Sequence, residues 1–344
     1  MREVGEVTLR GGSSAPTHLE ARDGRLWVNH RPVGSSWRLP AGGVASAGGL
    51  RVRGALVVHR GAGGLQVVNE LGLEDYVAGS VGREIYPGWH RETLKAQAVV
   101  TRTYALYRRE RAREQPATAR FDLGSGTGSQ VYGGIAAETA SIRAAVADTR
   151  GEYLSHSRLH GQEPILAVYH SASGGRTATA EEVWGLPVPY LLSVEVEDEQ
   201  DSPDTYWRAT ISRTKLGRAL ARAGIRIGAL QDARVVERSP SGRALRVELR
   251  GEDDGHTISH VMEARALRVV LGESVIRSTM FEIRFDPDGG GSGSADLIFV
   301  GSGHGHGVGM SQWGAEAMAR RGVSYREILA AFYPGASIVR GAYQ

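Results

Sequence analysis

The chain has 344 residues, 41% of them hydrophobic and 23% charged, with a formal net charge of +3 at pH 7. This composition is that of an ordinary globular protein with a sizeable core, and it excludes a disordered or fibrous chain. The chain has no cysteine, which excludes disulfides and thiolate metal sites. No stretch approaches the ~20 consecutive apolar residues of a membrane span.

The mild positive charge predicts weak attraction to anionic polymers such as nucleic acid or cell-wall material. Arginines are spread through the whole sequence without a dense basic stripe, so a nucleic-acid partner is not indicated. The first twelve residues, MREVGEVTLRGG, contain no hydrophobic signal core. We therefore expect either a cytoplasmic protein or one whose export signal is absent from this chain.

The first part of the chain, residues 1–68, alternates short apolar runs with Gly-rich breaks. This pattern predicts a β meander, with a hairpin tip at 61–64. From Leu73 onward, apolar residues recur at three- and four-residue spacing, which is typical of helices. We predict a short helix that starts at Leu73, a longer one from about 90 to 113, and a third at 136–149.

The break between the first two helices carries Glu84 and is kept from being helical by Pro87. Ile85, Tyr86 and Trp89 would remove water from the carboxylate, and we expect this to raise the pKa of Glu84 toward neutrality. An acid that is protonated near pH 7 can give a proton to a leaving group and take one back. Glu84 is thus a candidate catalytic residue, and a partly buried or ion-paired glutamate is the alternative.

A Gly/Ser-rich loop at 121–133 follows, carrying Gln130 and Tyr132. Apolar runs predict strands at 154–155 and 164–170, followed by a turn-rich loop. The remaining predictions are a mixed lobe at 193–285 with helices at 213–223 and 264–271, a flexible tip or linker at 287–294, and helices at 311–321 and 325–332.

The segment GSGHGHGVGMSQWG, residues 301–314, is the most unusual stretch. Alternate glycines let a backbone lie against a ligand, and His304 and His306 would point the same way in an extended segment. They could bind zinc with His170 and His256, or hydrogen-bond a polar ligand or a neighbouring loop. The lack of cysteine and of an H-E-x-x-H helix favours the second interpretation.

Two other catalytic interpretations find little support. The Gly-x-Gly-x-Gly pattern lacks the βαβ setting and the acidic partner of a dinucleotide site. His170 and Ser171 lie near Glu181 and Glu182, but no G-x-S-x-G elbow is present and sequence neighbours rarely form a catalytic triad.

Four segments resemble the sporulation stage II protein D family (SpoIID, with the amidase enhancer LytB), and they occur in family order. They are NELGLEDYVAGSVGREIYPGWHRETLKAQAVVTRTYAL, QVYGG, AVYHSASGGRTATAEEVWG with PYLLSV, and GHGHGVGMSQWGAEAMARRGVSYREILAAFYPGASI. The resemblance covers about residues 50–340, and the first and last motifs are highly specific.

The resemblance implies a lytic transglycosylase that cleaves peptidoglycan between N-acetylmuramic acid and N-acetylglucosamine, preferably in glycan strands freed of stem peptides. The resemblance places the family's catalytic acid at Glu84. Many relatives have the sequence E-M-P at this point, whereas this chain has E-I-Y-P, in which Tyr86 adds a bulky side chain. Some members hold structural zinc through His and Cys around an HS-x-x-GG loop. That loop is HSASGG here, without cysteine, so no metal or other cofactor is carried over.

A transglycosylase needs one carboxylate, because the substrate's own C6 hydroxyl attacks the anomeric carbon, whereas hydrolysis normally needs two. Neutral hydrogen-bonding groups and flat rings suit an uncharged glycan. The substrate-binding candidates are Gln130, Tyr132, His170, Ser171, His304, His306, Ser311 and Gln312. A structural role is the alternative for each.

We therefore predict an α+β fold in which helical segments flank a catalytic cleft near Glu84. Its parts are a β-rich segment at 1–60, a catalytic core at 61–192 and 295–344, and a mixed α/β lobe at 193–294. The expected partners are peptidoglycan strands and a cell-wall amidase, and the expected location is the cell envelope. One alternative is a glycan-binding amidase enhancer that does not cut. Another is a metal-dependent hydrolase built on His304 and His306.

Overall fold

The computed structural model describes residues 6–11, 15–61, 63–114, 120–126, 128–159, 162–286 and 296–341. Helices and several separate sheets occur together, which confirms the predicted α+β class. The chain divides into two units, which we call unit 1 (Met1–Ala167 with Ala336–Gln344) and unit 2 (Val168–Gly335). The finer domain division stays a prediction, and the linker predicted at 287–294 lies outside the described residues.

The N-terminal part of unit 1 consists of short antiparallel strands. They are β1 (Glu6–Gly11), β2 (Thr17–Arg22), β3 (Arg25–Val28), β4 (Arg31–Val33), β5 (Ser36–Leu39), β6 (Ala45–Ala47), β7 (Leu50–Val52), β8 (Ala55–Arg60) and β9 (Leu65–Glu70). One sheet has the order β4-β3-β2-β1-β6-β7 and a second has the order β5-β8-β9. Leu9, Leu19 and Leu26 of the first sheet share a buried core with Leu56 and Val58 of the second. The predicted hairpin joins β8 to β9.

The helical part of unit 1 packs around a small apolar core. Its elements are α1 (Leu73–Glu84), α2 (Arg91–Glu114), α3 (Ala140–Asp148), and strand β10 (Glu152–His156) paired with the last strand, β19 (Ala336–Arg340). Arg102 of α2 is fully buried and donates to both carboxylate oxygens of Glu74, at 2.9 and 2.6 Å, and to the carbonyl oxygen of Glu152 at 2.9 Å. This one guanidinium therefore ties α1, α2 and β10 together.

The structure corrects the placement of Glu84. It is the last residue of α1, and the connection to α2 begins only at Ile85. The backbone N–H of Ile85 still donates to the carbonyl oxygen of Val81 at 3.1 Å. The helix reaches Glu84 because Pro87 interrupts helical bonding only further along the chain.

Unit 2 is a mixed α/β unit. Its elements are β11 (Tyr169–His170), α4 (Ala180–Trp184), β12 (Trp207–Ser212), α5 (Arg213–Arg222), β13 (Ala229–Arg238), β14 (Ala244–Asp253), β15 (His256–Glu263), α6 (Ala264–Leu271), β16 (Phe281–Asp286), β17 (Asp296–Gly301), β18 (Met310–Ser311), α7 (Gln312–Arg320) and α8 (Tyr325–Phe332). The sheets are β12-β17-β16, β13-β14-β15 and the short parallel pair β11-β18. Leu220, Val247, Leu267 and Phe299 lie in its main core.

Two local predictions near the start of unit 2 were wrong. The strand predicted at 164–170 is reduced to Tyr169–His170, and the predicted turn-rich loop contains α4. Thr179 begins α4, because its hydroxyl accepts a hydrogen bond from the N–H of Glu182 at 3.1 Å. Within the described residues, no helix combines the length and the apolar character needed to cross a membrane.

Candidate functional site

Glu84 is held at the end of α1 by a loop that is distant in sequence. Its Oε1 accepts a hydrogen bond from the main-chain N–H of Val131 at 2.7 Å, and the residue is partly buried. A main-chain donor cannot rotate away as a side-chain donor can, so it fixes the orientation of the carboxylate.

Val131 lies in a loop that is anchored by its two sequence neighbours, Gln130 and Tyr132. Gln130 is only 1% exposed, and its Oε1 accepts a hydrogen bond from the hydroxyl of Tyr76 at 2.9 Å. Tyr132 stacks on Tyr76, with ring centroids 5.6 Å apart and an interplanar angle of 10°. Burial raises the pKa of both tyrosines, so their hydroxyls stay neutral. Gln130 therefore positions the loop from inside the protein.

Gly79 of α1 makes this arrangement possible. A Cβ at this position would lie 2.5 Å from the ring of Tyr132. The carbonyl oxygen of Gly79 also accepts a hydrogen bond from the N–H of Gly133 at 2.9 Å. A glycine in a helix interior costs roughly 0.5–1 kcal/mol relative to alanine, and here it allows the loop to pack directly on the helix that ends at Glu84.

Unit 1 also contains an open cavity of about 1470 Å³. Its walls include Tyr76, Tyr132 and Asn69, together with parts of the N-terminal sheets and of α2. Glu84 is not among its lining residues. The candidate acid therefore lies outside the walls of this cavity.

In unit 2, the HSASGG loop (170–175) and the MSQ segment (310–312) both donate hydrogen bonds to one glutamate, which the sequence analysis missed. Glu199 is buried, and it accepts hydrogen bonds from the N–H of Ser173 at 3.0 Å and from the Ser173 hydroxyl at 2.7 Å. It also accepts from the N–H of Gly174 at 3.0 Å and from the hydroxyl of Ser311. Glu199 lies between the family motifs, so only its three-dimensional contacts reveal its role.

His170 is buried and neutral. Its Nδ1 lies 3.1 Å from the carbonyl oxygen of Val308, so Nδ1 carries the proton and donates it. Burial, with the nearby His306 and Arg243, holds the pKa of His170 well below its usual range. Nε2 is then a buried acceptor, and it has no hydrogen-bond partner among the residues that the structure describes.

His306 packs against two rings, that of His170 at 5.6 Å and that of Trp184 at 5.4 Å between centroids. Its Nδ1 accepts a hydrogen bond from the N–H of Val308 at 3.0 Å. Burial, followed by the charge of Arg243, lowers the pKa of His306 to about 4. His306 is therefore uncharged at neutral pH.

His304 makes a different set of contacts. Its Nδ1 lies 3.0 Å from Oδ2 of Asp204, whose other oxygen pairs with Arg277. The backbone of His304 forms an antiparallel bridge with Ala172. The segment is not the extended strand in which both histidines would share a side, because Gly303 has a φ of +76° and the following alternate glycines are also left-handed.

The predicted site residues fall into two groups, one in each unit. Glu84, Gln130 and Tyr132 lie together in unit 1. The group in unit 2 consists of His170, Ser171, His304, His306, Ser311 and Gln312. In unit 2, the carbonyl oxygen of Ser171 accepts from the N–H of Trp313, and the Ser311 hydroxyl accepts from the N–H of Gly314 to begin α7. Both Ser311 and Gln312 are buried, and substrate contact by any of these side chains stays a prediction.

The residues around HSASGG do not fit a zinc site. No three His, Cys, Asp or Glu side chains cluster for metal binding in the described part of the chain. The guanidinium of Arg243 is buried against this loop and donates to the carbonyl oxygens of Ser173 at 2.7 Å and Arg176 at 3.1 Å. Burial lowers the pKa of Arg243 to about 10, which still leaves it charged at neutral pH. The Arg243 guanidinium therefore holds this loop through two of its carbonyl oxygens.

Two family models match the sequence. The one described as Stage II sporulation protein matches residues 61–156, which contain Glu84 and the loop that orients it. The other is a domain of unknown function, DUF8618, and it matches residues 187–309 in unit 2.

Curated relatives match most of the chain. Stage II sporulation protein D of Bacillus amyloliquefaciens is 31% identical over 287 residues, which cover 79% of this chain and 75% of the relative. An uncharacterized protein of Brachyspira hyodysenteriae is 34% identical over 277 residues, 79% of this chain and 68% of the relative. The amidase enhancer of Bacillus subtilis is 27% identical over 304 residues, 76% of this chain and 40% of the relative. The chain belongs to the stage II sporulation protein D family.

Proposed function

We propose that this protein is a lytic transglycosylase that cleaves the glycosidic bond between N-acetylmuramic acid and N-acetylglucosamine in peptidoglycan. The observation that carries the proposal is the carboxylate of Glu84, held at a helix end by the N–H of Val131 at 2.7 Å. Glu84 occupies the motif position of the catalytic acid that the resemblance implies. The preferred substrate is a glycan strand freed of stem peptides.

In this reaction, protonated Glu84 gives its proton to the glycosidic oxygen as the bond from that oxygen to the anomeric carbon breaks. The C6 hydroxyl of the same muramic acid residue then attacks the anomeric carbon, and its proton goes to the Glu84 carboxylate. The acid is regenerated and no water is consumed. The product strand ends in a 1,6-anhydro ring. The hydrogen bond from Val131 supports both halves of the cycle, because it holds the carboxyl group of Glu84 in one orientation while the proton leaves and returns.

The direct test is Glu84→Gln, which removes the acid and keeps the side-chain volume. We expect this variant to fold and to bind denuded strands but to release no fragments. Glu92→Gln is the matched control: it also removes one negative charge, from the ion pair with Lys95 in the first turn of α2, and it should cut at the wild-type rate. Fragment release by folded Glu84→Gln at the wild-type rate would exclude Glu84 as the acid.

A second candidate function is a glycan-binding enhancer that does not cut. It is favoured by the similarity to a protein named amidase enhancer. This function predicts no fragments from the protein alone, and faster stem-peptide release when it is mixed with a cell-wall amidase. Under either function, the protein acts in the cell envelope, on the side where peptidoglycan lies.

A further inference from the structure

The connection from α1 to α2 exposes an aromatic ring close to Glu84 along the chain. Tyr86 is two residues after Glu84 and is 61% exposed. Tyrosine is intermediate in burial among the residue types, and its ring contributes strongly to contacts when it is covered. Ile85, just before it, is buried in the helical core of unit 1. The chain therefore turns one side chain inward and the next one outward, immediately after the proposed acid.

The exposed ring stands on an ordered support. The N–H of Trp89 donates to the carbonyl oxygen of Tyr86 at 3.0 Å, which closes a turn around Pro87. The hydroxyl of Ser141, in α3, donates to the carbonyl oxygen of Pro87 at 2.8 Å. The proline ring further limits the backbone. Tyr86 is thus presented by a fixed turn, so a ligand that stacks on it does not have to order the backbone first.

Trp89 gives the exposed ring a neighbour. Its ring lies 5.4 Å from that of Tyr86 between centroids, at an interplanar angle of 52°. Trp89 is partly buried and packs against the same helical core that contains Ile85. Trp89 therefore anchors the pair to the protein, and the ring of Tyr86, tilted against that of Trp89, remains exposed to solvent.

We infer that Tyr86 and Trp89 form a binding platform for one N-acetylated hexosamine ring of the glycan, placed beside the bond that Glu84 cleaves. This inference rests on the proposed function. A pyranose ring presents a face of C–H groups that packs on an aromatic ring, while its hydroxyl and acetamido groups stay in water. A flat, uncharged and partly wet surface suits such a ligand better than a charged or wholly apolar one. The platform selects for a sugar and plays no part in proton transfer.

The platform makes a specific kinetic prediction, because stacking acts on the bound sugar and not on the acid. Loss of the Tyr86 ring should raise KM roughly fivefold, the scale of one aromatic contact. The pH dependence of turnover in this variant should be the same as in the wild-type protein, because Glu84 is unchanged. A structural role for Tyr86 would instead reduce the folded fraction without such a selective change in KM.

The experiment measures binding of the N-acetylglucosamine tetramer by calorimetry to the full chain carrying Glu84→Gln, so that no cutting occurs. Adding Tyr86→Ala should weaken binding roughly fivefold, whereas Tyr86→Phe, which keeps the ring, should stay within about twofold. Tyr206→Ala is the matched control, because Tyr206 is a tyrosine of unit 2 that is 83% exposed. It should also stay within about twofold of the Glu84→Gln parent.

Equal binding by the Tyr86→Ala variant and its Glu84→Gln parent overturns the platform, as does an equal loss in Tyr86→Ala and Tyr206→Ala. So does the absence of any tetramer binding by the parent. These outcomes are distinct from failure of the proposed function, because binding is measured without turnover. If the protein binds the tetramer through Tyr86 but never cuts glycan, the platform is supported and the transglycosylase activity is contradicted. If it cuts glycan but binds the tetramer independently of Tyr86, the activity is supported and the platform is contradicted.

Discussion

The main-chain N–H of Val131 donates a hydrogen bond to Oε1 of Glu84 at 2.7 Å across 47 residues of sequence. The proposed acid therefore takes its orientation from a Gly/Ser-rich loop and not from its own helix. The loop, in turn, is held by Gln130 inside the protein and by Tyr132 on the face of α1. Changes in this loop should consequently alter catalysis without touching the acid itself.

Val131→Pro tests this orientation because proline has no N–H to donate. A hydrogen bond to a charged group contributes about 1.5–3 kcal/mol, so we expect turnover to fall at least about tenfold. Val131→Ala is the control, since it keeps the N–H and should retain most of the activity. Circular dichroism must show that both variants fold. Full activity in folded Val131→Pro would show that the hydrogen bond does not matter for catalysis.

Tyr76→Phe tests whether Gln130 is a positioning residue or contacts the glycan. The change removes the hydroxyl that donates to Gln130 and leaves a buried amide oxygen without that partner. We expect the free energy of unfolding to fall by about 1 kcal/mol, the net contribution of a typical hydrogen bond, with turnover reduced and KM unchanged. A selective rise in KM at unchanged stability would instead favour direct glycan contact by Gln130.

The local signals in the sequence predicted several elements well. Helix α8 spans Tyr325–Phe332 as predicted, and Ser324 with Glu327 forms a capping box at its start. The position of α6 was also predicted correctly, because its amphipathic pattern is strong. Such signals lie within a few residues of each other, so no knowledge of the fold is needed to recognise them.

The contacts that shape the candidate site could not be predicted in the same way. Glu199 joins Ser173 to Ser311, which are far apart in sequence, and nothing in its own neighbourhood marks it. The alternate glycines were visible in the sequence, but their left-handed backbone, which keeps the segment from being extended, was not. A Cβ at Gly307 would lie 2.3 Å from the guanidinium carbon of Arg243. That close approach depends on a residue of another segment, which only the fold reveals.

Glu199→Gln should destabilise unit 2. The amide places an NH₂ group where one of the carboxylate oxygens accepts several hydrogen bonds, and a buried donor would then face other donors. We expect a loss of about 3 kcal/mol in the free energy of unfolding. Glu197→Gln, at an exposed position of the same segment, should change it by less than about 0.5 kcal/mol. Urea unfolding measures both, and equal stability of the two variants would contradict the role of Glu199.

The two neutral histidines predict how unit 2 responds to acid. The folded-state pKa of His306 is about 4 and that of His170 is also lowered, whereas an unfolded histidine titrates near about 6.5. Between these values the unfolded chain binds more protons, so stability should fall as the pH drops from about 6.5 toward 4 and should be unaffected by these groups above that window.

His306→Gln removes one of these groups and should reduce the pH dependence of stability, by less than about 1.4 kcal/mol per pH unit. His256→Gln, at an exposed position in β15, is the control and should leave the dependence unchanged. Urea unfolding followed by amide exchange in unit 2, from pH 7.5 to 4.5, gives the comparison. An unchanged slope in His306→Gln would show that this histidine is not held neutral by the fold.

The central claim is that one carboxylate and the substrate's own C6 hydroxyl cleave the glycan. The most direct measurement is a mass spectrum of denuded peptidoglycan strands after incubation with the wild-type protein, with Glu84→Gln in parallel. We expect fragments that end in 1,6-anhydro-muramic acid, lighter by one water than hydrolysed ends, from the wild-type protein alone. Ends that carry the added water would contradict the transglycosylase mechanism and require a second carboxylate, and an unchanged spectrum would contradict cleavage altogether.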